Sequence, residues 1–559
     1  MSVSAACASA VVAELVGRGV TEVVLAPGSR SAPLALAVHA EAVAGRVRLH
    51  VRTDERAAAF LALGLAKGSG LPVAVITTSG TAVGNLLPAV MEAHHSRVPL
   101  LLVTADRPAG LVGTGANQTT HQPGIFGVFV RDELDVDAAA EPGSWTAGTA
   151  AAVAAASGSL SGYPGPVHVN VALPEPLVVL GPPDAPDAAG PVIRQAGAAA
   201  AGVAVPQPAA PAEGQSVELP AGPRTVVVCG DARQAEGVAA LAFAEAAGVP
   251  LLAEPSSLAR GGANALRCGR LLLGTSLGDR VERVVMFGHP TLSRPVTRLL
   301  TRADVDLIVV GAGPGTPNPG WRARQTVSAV AWPASADGAT DSAWLQEWRA
   351  ADAACGERVD ALLEGLDYVS GPAVASTVLA AAGGRIVALG NSMAIRDADL
   401  APVPDVPQRV YANRGLSGID GTLSTAVGLA LASGEPVTLL CGDLSFVHDA
   451  NALAIGPGEP RPDLRIVVAD DAGGAIFSTL EYGRQEFAAG FERVFATPTG
   501  VDPVALATGY GIPARRVAGL AELAAALAVP VHGIEVLVVG VDRASRAELA
   551  AALGACAVH

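Results

Sequence analysis

Two short segments in the last third of the 559-residue chain have the residue types of a metal and diphosphate site. Gly442 and Asp443 stand at the end of one expected strand. Asp470, Asp471, Gly473 and Gly474 stand at the end of the next, with 25 residues between the GDL and DD strings. In open α/β sheets ligands gather beyond the carboxyl ends of strands, and these two ends carry carboxylates. Two hard oxygen donors on adjacent loops suit Mg²⁺, which takes one or two carboxylates, keeps several waters and binds substrate phosphates, so the pair implies a diphosphate ligand. Gly473 offers a bare backbone carbonyl as a further donor. Read alone, Asp-Asp-Ala-Gly-Gly is equally a polar turn after a buried strand. Glu55 is a third acidic candidate, directly after a strand and in the first turn of a helix, where the helix dipole alone would favour it.

These residues need a scaffold of alternating strands and helices, and the chain has that rhythm. Short apolar runs (EVVLA, LHV, PVAVITT, PLLLVTA) separated by helical stretches predict a parallel sheet covered on both faces. The reading divides the chain into an N-terminal domain at 1–180, a Pro/Ala/Gly-rich linker at 181–223, a middle domain at 224–345, a helical connector at 346–370 and a C-terminal domain at 371–559. Half the residues are apolar and 16% are charged, which excludes a disordered chain. With 37 basic against 52 acidic residues and a net charge of -15, the footprint of a nucleic-acid or anionic-membrane binder is missing. No apolar run approaches the roughly 18 to 20 residues that span a bilayer. The N-terminus, interrupted by Glu14 and Arg18, is unlike a secretory signal. Six cysteines at 7, 229, 268, 355, 441 and 556, never closer than 39 residues, suggest neither a zinc clip nor a disulfide framework. A cytoplasmic protein is expected.

The spacing of Gly442-Asp443 and Asp470-Asp471 resembles the thiamin diphosphate motif, normally Gly-Asp-Gly followed by a paired Asn. The longer strings PGSRSAPL (27–34), RTDERAAAF (52–60), TADRP (104–108), GANQT (115–119), GNSMAIR (390–396), NRGLSGIDG (413–421), GDLSFVHD (442–449) and GGAIF (473–477) are together similar to the 2-succinyl-5-enolpyruvyl-6-hydroxy-3-cyclohexene-1-carboxylate synthase (MenD) family. The resemblance covers both ends of the chain and leaves the middle weakly marked. It implies three consecutive parallel-sheet α/β domains of the thiamin diphosphate-dependent decarboxylase/carboligase type, with thiamin diphosphate and Mg²⁺ or Mn²⁺ as cofactors. Isochorismate and 2-oxoglutarate are the implied substrates, joined with loss of carbon dioxide in menaquinone biosynthesis. A homodimer at least, extended to a homotetramer, is implied, because in that superfamily the pyrimidine site of one chain meets the diphosphate site of another. No nucleic-acid or membrane partner is implied.

Carried over residue by residue, the resemblance places Asp443, Asp471 and the Gly473 carbonyl on the metal, and Glu55 on the pyrimidine nitrogen as a catalytic residue. Gly442, Leu444, Ser445, Ser392, Ile419 and Ile476 would complete the cofactor site, Ile419 supporting it from below. Gln118 would approach the reacting centre as a neutral hydrogen-bonding group. Ser392 and Arg396, four apart on one expected helical face, would hold the distal carboxylate of 2-oxoglutarate, with Arg414 nearby. Ser29, Arg30, Arg107 and Arg294 would receive the isochorismate carboxylates, while Ile476, Phe477 and Leu480 form an apolar wall. Both substrates are dianions, which accounts for the arginines, since each presents a bidentate fork. Singly, each arginine is equally explained as a solvated surface charge.

The alternatives are another thiamin enzyme of the acetolactate synthase or simple 2-oxoacid decarboxylase kind, and a cofactor-binding homologue without catalysis. His94 and His95, at the expected end of a helix, read as C-terminal capping residues. Two departures from the family pattern stand out. Asp470-Asp471 replaces Asn-Asn or Asn-Asp, adding negative charge beside a diphosphate, and Ser293 stands where relatives carry lysine.

Overall fold

A computed structural model describes residues 1–159, 161–179, 216–311, 313, 315–333 and 342–557. Most of the expected linker, at 180–215, lies outside the described residues. Its last part carries a strand, Ser216–Glu218, paired in parallel with Ala329–Ala331.

Three larger sheets, all parallel, carry the chain. In the first, the strands run in the order Arg48–Val51, Glu22–Leu25, Val73–Thr77, Leu100–Asp106, Val167–Ala172 and Glu133–Asp137. The last sheet repeats the same connectivity with Val410–Tyr411, Ile386–Leu389, Val437–Gly442, Leu464–Asp470, Ile534–Gly540 and Ala514–Val517. In both, the chain leaves its first strand to one side and later crosses to the other. That reversal opens a crevice at the carboxyl ends of the first and third strands, where the helices diverge. In the N-terminal sheet the crevice is bordered by the segments following Leu25 and Thr77. In the C-terminal sheet it is bordered by those following Leu389 and Gly442. A five-stranded middle sheet contains Gln325–Val327, Asp306–Val310, Arg283–Phe287, Thr225–Cys229 and Leu251–Ala253.

The strands are short runs of Val, Leu and Ile buried on both faces, as Val73–Thr77, Leu100–Asp106 and Arg283–Phe287 show along their whole length. The structure holds strands that the apolar runs did not signal. Glu133–Asp137 and Ala514–Val517 lie at sheet edges and carry polar residues among the apolar ones, because only one partner strand constrains them.

The chain packs as two compact units, Met1–Ala210 with Leu423–Gly434 and Asn451–Pro462, and the remainder. In the first unit the helices Glu55–Ser69 and Thr422–Ser433 cross backbone to backbone. A Cβ on Gly64 would lie 2.2 Å from the Thr425 carbonyl oxygen, and one on Gly428 would lie 2.4 Å from that of Leu61. Only glycine permits this approach. Among the described residues no helix is long and apolar enough to cross a membrane, and all six cysteines are buried and unpaired.

Candidate functional site

In the first unit, the strand Arg48–Val51 delivers the chain to Asp54, whose side chain caps the next helix by accepting the Ala57 N–H at 3.1 Å. Asn451 donates to the other Asp54 oxygen at 2.8 Å. The capping task therefore falls to Asp54, and Glu55 enters the helix as its first residue without that duty. Glu55 nonetheless stays in the first turn, where the helix dipole favours a carboxylate.

The crevice of the N-terminal sheet gathers several expected residues. Gly28 approaches Thr78 so closely that a Cβ would lie 2.3 Å from the threonine Cβ, which brings the PGSRS turn against the segment after Thr77. Arg30 is buried, donates to the Leu173 carbonyl at 2.9 Å and to Glu175 at 3.2 Å, and leaves its Nε without a partner. Arg107 follows its strand directly and donates to Ser79 Oγ and, at 2.5 Å, to the Gln118 carbonyl. Gln118 takes a left-handed backbone (φ 56°) and returns a side-chain bond to the Ser79 carbonyl at 2.9 Å. Burial and then the Arg30 charge depress the Arg107 guanidinium. The Asp106 and Glu175 carboxylates partly offset these two like charges. Ser29 is exposed on the same turn. Ser79, which links Arg107 to Gln118, was not singled out from sequence; it lies in an unremarkable TTSG turn and only the crossing of strands reveals it.

In the second unit, Gly442 ends a strand and caps the helix Asp443–His448, which places Leu444 and Ser445 in its first turn. Burial and then the Asp470 charge push the Asp443 carboxyl up to about 6, against N–H bonds from Leu444 and Gly473. Burial and then Asp443 push Asp471 up to about 7, against the charges of Arg546 and Arg543. Asp471 Oδ1 is buried with no partner. Two carboxylates whose charged forms are disfavoured by burial and by a neighbouring aspartate, one with an orphaned oxygen, fit a divalent cation. Among the described residues no group of three or more His, Cys, Asp or Glu side chains is arranged to hold a metal. Two carboxylates and a backbone carbonyl leave coordination positions of the kind that waters and a diphosphate fill around Mg²⁺. Gly473 adopts φ 146°, and its carbonyl accepts the Ala475 N–H at 3.1 Å, leaving its second lone pair for an ion.

The paired aspartates divide their roles. Asp470 bonds Arg516 at 2.9 Å and accepts the Ala472 N–H at 3.2 Å, so its extra charge is matched by a cation. Behind Asp471 lies a buried ion pair between Arg546 and Asp397 at 2.5 Å, and Arg543 donates to the Ala472 carbonyl at 3.1 Å. None of these three supporting residues was signalled by sequence.

The arginines of this unit also sit at strand ends. Ser392 caps the helix Met393–Ala398 with φ 72°, so it precedes the helix rather than sharing a helical face with Arg396. A side chain four residues on still reaches back, and Arg396 Nη1 donates to the Ser392 carbonyl at 2.5 Å. Burial, then the Arg414 and Arg270 charges, lower the Arg396 guanidinium. Arg414 is 1% exposed, with Nη1 on Asn391 at 3.0 Å, Nη2 on Thr291 at 2.8 Å and Nε unpartnered. Ile419 is half-buried in the loop after Arg414.

Arg294 is held differently from the others. It forms a two-pronged ion pair with Glu481, at 2.6 and 3.1 Å. Ser293 caps the helix Arg294–Thr301 by accepting the Val296 N–H at 3.4 Å, which gives that departure a local structural role. Ile476, Phe477 and Leu480 are half-buried in and beside the 3₁₀ turn Ala475–Thr479. Phe477 packs on Phe495 (centroids 5.7 Å apart), and Tyr482 stacks on Phe495 at 4.7 Å. Tyr482 and Phe495 extend the expected wall.

The His94 ring reaches a carbonyl outside its helix, not one of the helix's own as expected from sequence. The helix Leu87–Ser96 ends in a left-handed Arg97, and His94 in its last turn bonds the Phe129 carbonyl at 2.9 Å.

Two family models match the chain: the thiamine pyrophosphate enzyme N-terminal TPP binding domain over residues 6–125, and the C-terminal TPP binding domain over 397–541. Curated relatives span nearly the full length. A 2-succinyl-5-enolpyruvyl-6-hydroxy-3-cyclohexene-1-carboxylate synthase of Paenarthrobacter aurescens is 48% identical over 95% of this chain and 93% of its own. Proteins of the same name from Kineococcus radiotolerans and a Nocardioides species are each 49% identical, covering 96% and 97% of this chain and 96% of their own.

Proposed function

We propose a division of labour among these residues on the premise that the chain belongs to the 2-succinyl-5-enolpyruvyl-6-hydroxy-3-cyclohexene-1-carboxylate synthase (MenD) family. It is a thiamin diphosphate- and divalent metal-dependent transferase of menaquinone biosynthesis, joining 2-oxoglutarate, with loss of carbon dioxide, to isochorismate. The observation that carries the cofactor site is the buried Asp443–Asp471 pair with its orphaned oxygen at the sheet crevice.

When bound, thiamin diphosphate supplies the electron sink for decarboxylation and the carbon nucleophile for conjugate addition. Asp443, Asp471 and the Gly473 carbonyl hold the metal that anchors its diphosphate, with Gly442, Leu444 and Ser445 lining the same turn. Glu55 exchanges a proton with the pyrimidine ring nitrogen, and Ile419 and Ile476 support the cofactor. Arg396, with Ser392, receives the distal carboxylate of 2-oxoglutarate, and Arg414 adds charge behind it. Ser29, Arg30, Arg107 and Arg294 receive isochorismate, and Gln118 offers a neutral hydrogen bond at the reacting centre. Ile476, Phe477 and Leu480 exclude water, which favours a step that neutralises a carboxylate.

Arg396→Ala is expected to raise the KM for 2-oxoglutarate about 10- to 150-fold, from the roughly 1.5–3 kcal/mol of a hydrogen bond to a charged group. Steady-state kinetics with isochorismate saturating reads this directly, and an unchanged KM removes Arg396 from the substrate site.

Arg294 must exchange Glu481 for a substrate carboxylate. Glu481→Gln is therefore expected to lower the KM for isochorismate about two- to fivefold, the modest scale of an exposed pair, and to leave that for 2-oxoglutarate unchanged. A rise in the isochorismate KM would show that Glu481 aids binding instead.

A homodimer at least, extended to a homotetramer, follows from the family reading, in which one chain's Glu55 serves another chain's diphosphate site. Six unpaired buried thiols support a cytoplasmic location.

A further inference from the structure

Glu254 follows the strand Leu251–Ala253 and is buried, at 6% exposure. Its Oε1 accepts two backbone N–H groups, from Thr291 at 2.9 Å and Leu292 at 2.8 Å. These two residues belong to the turn that leads from the strand Arg283–Phe287 into the helix beginning at Arg294. The Thr291 hydroxyl accepts from Arg414 Nη2 at 2.8 Å, and Arg414 Nη1 donates to Asn391 at 3.0 Å. Asn391 in turn donates to the Asn413 and Gly418 carbonyls, both at 2.7 Å. One carboxyl group thus stands at the root of a continuous set of hydrogen bonds reaching the turn before Arg294, the Arg414 guanidinium and the 413–418 loop.

We propose that Glu254 is a positioning residue for substrate binding: by holding the Thr291–Leu292 turn it sets the place of Arg414, through the Thr291 hydroxyl, and of Arg294, through the start of its helix. The inference rests on the reading that Arg414 and Arg294 meet substrate carboxylates. An arginine that is 1% exposed has no water to restore its geometry, so the turn that carries its acceptor decides where the guanidinium lies. Reacting groups displaced by an ångström lose much of the advantage of a fixed site. The proposed metal ligands Asp443, Asp471 and Gly473 have no place in this set of hydrogen bonds.

Burial pushes the Glu254 carboxyl up to about 8, with Asp399 adding to the rise and the two N–H bonds and Arg414 opposing it. At neutral pH the group is therefore the uncharged acid, with Oε1 accepting both N–H bonds and Oε2 buried without a partner. Glutamine reproduces that shape and its acceptor, whereas alanine strands both N–H groups.

The test compares Glu254→Ala, Glu254→Gln and Thr291→Val in the full-length holoenzyme, with Arg414→Ala and Arg294→Ala as references. Glu254→Ala is expected to raise the KM for both substrates about tenfold, with kcat and the apparent Kd for thiamin diphosphate changing less than threefold. Glu254→Gln is expected to restore both KM values to within about twofold at pH 7. Thr291→Val, which cuts the link to Arg414 and keeps the turn's backbone, is expected to raise the KM for 2-oxoglutarate alone, and serves if the alanine variant fails to fold. Unchanged KM values in folded Glu254→Ala, or in Thr291→Val, overturn the proposal while Arg414→Ala and Arg294→Ala raise theirs. Should those two reference variants also leave KM unchanged, the arginine assignment itself fails and the proposal falls with it.

Discussion

Glu55→Gln is expected to bind thiamin diphosphate and Mg²⁺ within a few-fold of wild type and to lose carboligation by about 10²- to 10⁴-fold, the range of a positioned acid–base group. Asp54, not Glu55, caps the helix, so the substitution leaves the helix start intact. Glutamine keeps the size and the hydrogen-bonding ends of the side chain but cannot exchange a proton with the ring nitrogen. The measurement is kcat under saturating substrates, beside the thermal shift that the cofactor induces. Full activity would remove Glu55 from catalysis. Lost activity together with a lost cofactor-induced shift would make it a binding residue instead.

Asp443→Asn is expected to weaken metal-dependent cofactor binding by about 100-fold or more, because it removes one of two carboxylate ligands from a hard-cation site. The cofactor-free protein should be no less stable than wild type, since burial and the Asp470 charge already disfavour the Asp443 carboxylate when no cation is bound. A ligand stabilises in proportion to the logarithm of its occupancy. Adding Mg²⁺ and thiamin diphosphate should therefore raise the melting temperature of wild type and not of the variant at the same concentrations. Asp470→Asn is the control. Its carboxylate is already matched by Arg516, so cofactor binding should stay within about threefold of wild type. A loss as large as that of Asp443→Asn would place Asp470 among the ligands.

The contrast between Asp470 and Asp471 shows where sequence reading reaches its limit. The DD string and its distance from Gly442-Asp443 placed both pairs at the ends of adjacent strands, as the structure has them, because strand ends are local features written in short apolar runs. Which of the two carboxylates faces inward depends on Arg516, Arg543 and Arg546, brought near by strands and helices tens of residues away. Glu55 follows the same rule. Its position at a helix start was legible, but its freedom from capping depended on the preceding Asp54, whose second partner, Asn451, is almost 400 residues distant. Ser293 could have been read locally, since a serine three residues before an N–H at the start of a helix is a common cap. Arg294 was named only through the family resemblance, and its pairing with Glu481 was not legible at all. The repeated strand order of the first and last sheets was invisible in the sequence, because edge strands such as Glu133–Asp137 and Val410–Tyr411 leave little apolar pattern.

Selection of a dicarboxylate donor is the central consequence of the Arg396–Ser392 arrangement and its neighbour Arg414. With isochorismate as acceptor and thiamin diphosphate and Mg²⁺ saturating, kcat/KM for 2-oxoglutarate should exceed that for pyruvate by about 100-fold or more, since pyruvate leaves a charged anchor unpaired. The product should have the mass of the two substrates less carbon dioxide. Equal kcat/KM values, or turnover of pyruvate alone with isochorismate left unconsumed, would contradict the account.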